Sequence, residues 1–122
     1  MNNKYMPTGN EQIAIPAINE ANAAIESFNF LHRGYKGIVE IVGDSDNHND
    51  LMSPFFHVNG CETKLDNLVW NRENFWIPTF TSSTTEYELK GTILAPVGER
   101  GFAYRLEITN HSKSAMDVAA GW

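Results

Sequence analysis

The stretch DSDNHND, residues 44–50, concentrates the side chains most able to hold a cation. Asp44, Asp46, His48 and Asp50 fall at alternate positions, and a hard cation such as calcium takes several oxygens from one short loop. The spacing departs from the calcium-binding EF-hand, because Asn49 stands where that loop needs Gly and Phe55 where it needs Glu. A solvated acidic turn fits the same residues, and no metal site is assigned. His32, His48, His57 and His111 include no pair four residues apart and no HExxH, so zinc ligands would have to converge from distant loops. Cys61 is the lone cysteine. It has no disulfide partner within the chain and reads as a small apolar residue beside a turn. There is no G-x-S-x-G elbow, and Gly98-Glu99-Arg100-Gly101 is a turn without the Lys-Ser/Thr of a phosphate loop. Hydrolysis of a glycosidic bond needs two facing carboxylates. With 15 acids in the chain, chance pairs are easy, so no catalytic residue and no cofactor is assigned.

The aromatics offer a different chemistry. Trp70, Phe75, Trp76 and Phe80 cluster within 11 positions, and flat rings stack on sugars with the geometry they use among themselves. Core packing and domain interfaces are the commoner uses of such a cluster. Together with Trp122 these residues form the candidate ligand or domain-interface set. Asn110-His111-Ser112 matches the N-glycosylation sequon on a turn and has meaning in a secretory chain.

Charge narrows the partners. The formal net charge is −6 and Lys and Arg are scattered, which is the wrong sign for tracking phosphates, so nucleic acid and anionic membranes are not expected partners. The N-terminus lacks the apolar core of a signal peptide. No apolar run approaches the roughly 20 residues of a membrane span. With one cysteine, these features fit a cytoplasmic setting. A length of 122 residues fits one domain.

The elements that must position these side chains follow from periodicity. Residues 1–34 read as an N-terminal arm. Within it, PAINEANAAIESF (16–28) puts Ile18, Ala21, Ile25 and Phe28 at helical spacing, while Asn19, Asn22 and Asn29 oppose a helix. A short helix is one outcome there. Residues 35–122 read as a β-sandwich. GIVEIVG (37–43) has the β-branched run of a buried strand. FFHVNGCETKL (55–65) predicts a type I′ hairpin at Asn59-Gly60, with Val58 opposite Cys61, His57 opposite Glu62 and Phe56 opposite Thr63. Pro78 assigns 75–81 to an edge or bulged strand. Residues 85–96 turn Tyr87, Leu89 and Ile93 inward, and residues 102–109 do the same with Phe102, Tyr104, Leu106 and Ile108. Met116, Val118, Ala120 and Trp122 continue an inward set. The expected fold is all-β: an antiparallel two-sheet sandwich.

LVWNRENFWIPTF and GTILAPVGERGFAYRLEITNHSKSAMDVAAGW, within residues 67–122, resemble the N-terminal galactose-mutarotase-like supersandwich domain that precedes an α/α-toroid in glycoside hydrolases and phosphorylases. The carrying element is YRLEITNHSKSAMDV, an alternating strand, an Asn-centred turn and a Val-bearing strand. The resemblance implies a non-catalytic accessory domain that borders a sugar site, the acid and base coming from a downstream catalytic domain. It also implies a truncated piece of a longer protein, prone to self-association through open edges. A free-standing carbohydrate-binding or structural module is the alternative.

Overall fold

A computed structural model of the chain describes residues 6–32, 34, 37–43 and 50–122. Among these residues there are eleven strands and no helix: β1 (Thr8–Gly9), β2 (Ile13–Ile18), β3 (Ile25–His32), β4 (Gly37–Val42), β5 (Phe55–Val58), β6 (Cys61–Thr63), β7 (Val69–Glu73), β8 (Ile77–Ser83), β9 (Tyr87–Leu94), β10 (Ala103–Asn110) and β11 (Val118–Gly121). All pairings between them are antiparallel. They form one sheet in the order β1-β2-β3-β4, a second in the order β10-β9-β8-β7, and a third, β11-β5-β6. The expected sandwich is therefore present, with a small third sheet added to it.

The core lies between the first two sheets. Ile15, Ile18, Ala23 and Ile25 come from β2, β3 and the turn between them, and Phe80, Ile93 and Tyr104 come from β8, β9 and β10. Each such Ile or Phe contributes about 1.5–3 kcal/mol by leaving water. The β2–β3 register shifts around Ala17. That irregularity lets Ile15 and Ile18, three positions apart, both reach the core. Phe80 sits directly opposite Gly91 on β9. A Cβ at Gly91 would stand 2.1 Å from the Phe80 ring, so the glycine is the space the ring fills.

Residues 16–28 do not form the helix their spacing allowed. Asn19 and Asn22 turn their side-chain oxygens onto the amides of Ala21 (2.9 Å) and Ala24 (3.0 Å), and Ala23 takes a φ of 60°. Asparagines that bond their own backbone compete with a helix and close turns instead. The N-terminal third thus supplies β1–β3 and much of the core.

Other expectations divide. The hairpin at Asn59-Gly60 forms with positive φ at both positions (51° and 77°) and pairs Val58 with Cys61, His57 with Glu62 and Phe56 with Thr63. Leu89, Ile93 and Tyr104 are buried as alternation requires. GIVEIV is a strand, but an exposed one, because it forms the outer edge of the first sheet. Pro78 lies on an interior strand: β8 sits between β7 and β9, and its ladder with β9 starts one residue later at Thr79, where an amide is available. Cys61 is exposed on β6. Val118 and Ala120 are also exposed, since β11 is the outer strand of the small sheet. Of the acidic stretch, residues 44–49 lie outside the described residues. Asp50 accepts bonds from Ser53 (3.0 Å) and Asn22 (3.3 Å).

Candidate functional site

The five candidate aromatics separate by environment. Phe80 is fully buried in the core. Trp70 packs on it with ring centres 5.3 Å apart and donates its indole N–H to the Glu20 carbonyl at 2.8 Å. Both tie the sheets together, and Trp70 stays partly exposed. Trp122 is half-exposed and stands edge-on to Tyr104, centres 5.8 Å apart. Phe75 (86% exposed) and Trp76 (69%) are the outward pair.

Their exposure has a local cause. Glu73 pairs with Ile77, leaving Asn74, Phe75 and Trp76 as a three-residue hairpin tip. Asn74 and Phe75 both have positive φ, 49° and 67°. Asparagine tolerates that region, but a bulky aromatic in it is strained. The tip is held from behind. Arg72 Nη1 donates to the carbonyls of Phe75 (3.3 Å) and Pro7 (3.1 Å), and the Thr8 hydroxyl donates to the Trp76 carbonyl. These bonds hold the backbone of the tip in place before any partner arrives.

Beside the tip runs a groove of about 630 Å³. Thr8–Glu11, Ile13 and Ala14 form one side, Asn74, Trp76 and Ile77 another, and Leu94–Val97 the third. Asn10 fastens this arrangement. Its side-chain oxygen accepts from the amides of Gln12 (2.8 Å) and Ile13 (2.9 Å), and its Nδ2 donates to the carbonyls of Pro96 and of Glu99, the latter at 2.9 Å. The polar side chains Thr8 and Asn10 are therefore committed internally. The rest of the lining is chiefly aliphatic and aromatic, with Asn74 polar and Glu11 the one ionisable residue among the described lining residues. A single carboxylate cannot supply the facing pair that glycoside hydrolysis uses.

Sequence reasoning found Phe75 and Trp76 but not their neighbours. Gly9-Asn10 is a readable turn pair, and a valine in the turn PVGER is an apolar residue where polar ones are usual. Nothing local, however, shows that Asn10 and Pro96, 86 positions apart, meet at the same tip. Comparison of the chain with family models, with curated proteins and with solved structures finds no match.

Proposed function

We propose that this chain is a non-catalytic accessory β domain that works by docking. The Phe75-Trp76 tip and the adjoining groove pack against the catalytic domain of a carbohydrate-active enzyme. The docking part of the reading is carried by one observation: two exposed aromatics on a strained, back-braced turn beside a mainly apolar groove whose Thr8 and Asn10 side chains are already bonded. Interfaces that bury well use such anchors. The carbohydrate-active context rests on the resemblance of residues 67–122 to the supersandwich domain. A glycan site would need hydroxyl-binding groups pointing into the groove; Thr8 and Asn10 are committed elsewhere, which leaves Glu11 and Asn74 as the polar lining side chains for that role.

Hydrogen exchange on the full product of the gene, compared with the 122-residue chain, tests this reading. Amides of residues 74–77 and of Leu94, Ala95 and Val97 are expected to exchange more slowly in the full product, and Trp76→Ala is expected to remove the difference. Equal exchange in both proteins rejects docking. Binding of an oligosaccharide that Trp76→Ala abolishes would assign the face to glycan instead.

A further inference from the structure

The outer edge of β4 is a second bare surface, on the first sheet. Gly37–Val42 pairs with β3 along one side, and no described strand lies on the other. All six residues are exposed, Ile38 at 67% and Val42 at 59%. Successive side chains leave by opposite faces, so Ile38, Glu40 and Val42 share one and Val39 and Ile41 the other. The unpaired N–H and C=O groups along such an edge are a template for another strand. The remaining outer strands are blunted. β1, β6 and β11 run only two, three and four residues, β7 carries Arg72 and Glu73, and β10 carries Arg105 and Glu107. β4 combines length with a single charge, Glu40.

We propose that β4 is a strand-addition site for an extended segment of another protein, running antiparallel, apolar on both faces and carrying Lys or Arg opposite Glu40. Charge selects this occupant over a second copy. Two-fold pairing of β4 with itself joins five of its six residues in either of two registers, and the one centred on Glu40 sets it against Glu40 of the copy. Like charges directly opposed on neighbouring strands destabilise the pair, and opposite charges stabilise it. The net charge of −6 adds repulsion between copies. Moving the two-fold to Val39 relieves that clash at the same ladder length, but it still forfeits one residue of the strand and faces Ile38 with Glu40. A foreign strand with a basic residue at the centre keeps the full ladder, neutralises Glu40 and covers Val39 and Ile41 on one face and Ile38 and Val42 on the other. This is peptide recognition by strand addition, with main-chain bonds giving affinity and alternate side chains giving selectivity.

Two acetylated, amidated peptides test the site, S-V-I-K-V-T-S and its Glu-centred counterpart, against the wild-type chain and Glu40→Lys. Glu40 is exposed, so its replacement leaves the core untouched. The Lys peptide is expected to slow exchange of the β4 amides and to bind wild type roughly fivefold to tenfold more tightly than the Glu peptide. In Glu40→Lys the order is expected to reverse, and in both proteins the preference shrinks with added salt. Equal affinity for the two peptides, or no protection of β4 by either in either protein, overturns the proposal. So does protection of β4 that grows with protein concentration alone, accompanied by a dimer in sedimentation, because that assigns the edge to a second copy.

Discussion

The Tyr104 hydroxyl donates a 2.7 Å hydrogen bond to the carbonyl of Ala23, a residue 81 positions away. Tyr104 stands on β10 in the second sheet, and Ala23 lies in the β2–β3 turn of the first. Ala23 is itself buried with φ at 60°, so its carbonyl is aimed by a turn that only this loop conformation produces. One bond thus fastens the two halves of the sandwich at a point where water does not reach. Burial pushes the Tyr104 phenol well above its ordinary pKa, because the charged form would be stranded without solvent.

Tyr104→Phe keeps the ring and leaves the Ala23 carbonyl unpaired. A loss of about 1–2 kcal/mol is expected in urea unfolding. The pH dependence reports the burial of this phenol. Below about pH 10 both folded and unfolded chains hold the phenolic proton. Above it the unfolded chain releases the proton while the folded chain keeps it, so wild-type stability falls as pH rises from there. Tyr104→Phe is expected to show a shallower decline over the same alkaline range.

Gly91→Ala places a methyl group where the Phe80 ring already lies. Overpacking of this kind costs about 1–3 kcal/mol. If the ring is the cause, Phe80→Leu will cost less in the Gly91→Ala background than in wild type. A double-mutant cycle on thermal unfolding measures that coupling.

The type I′ turn gives a milder case. Gly60 has φ at 77°, and a methyl group placed on its Cα would have nothing within 4 Å. Gly60→Ala therefore meets backbone strain alone and should cost about 1 kcal/mol. Asn59 does more than turn the chain. Its amide donates to the Asp117 carbonyl at 2.8 Å, and its side-chain oxygen accepts from the Asp117 amide at 3.0 Å. Asn59→Ala is expected to raise amide exchange in β11 as well as in the hairpin, whereas Gly60→Ala raises it chiefly in the hairpin.

At the tip the direction reverses. Phe75 buries little and holds a conformation suited to glycine. Phe75→Gly is expected to raise stability by about 1 kcal/mol, strain relief outweighing the entropy that glycine loses on folding. On the docking reading proposed above, the same change should also remove any slowing of exchange that a catalytic-domain partner confers on Leu94, Ala95 and Val97.

What could be read in advance was local. Asn59-Gly60 sets its own φ angles, and the flanking alternation then leaves one register for β5 and β6. β9 and β10 are legible for the same reason. GIVEIV shows the limit: β-branched residues announce a strand, yet whether a strand lies inside a sheet or on its rim depends on neighbours recruited from elsewhere. Helical spacing misled at Ile18–Phe28 because a bulge and an asparagine turn also bring Ile18 and Ile25 to one side. The groove was hidden more deeply still, since Asn10 and Pro96 meet only after two sheets have closed.

The pairing of β11 with β5 carries a consequence for the order of assembly. Ala120 meets Phe56 and Val118 meets Val58, so the small sheet is completed by residues made about sixty positions after the hairpin that receives them. On a ribosome, β5 and β6 must wait with one rim unsatisfied while β7–β10 are still emerging. During that interval Phe56, fully buried in the finished protein, lacks its cross-strand partner Ala120.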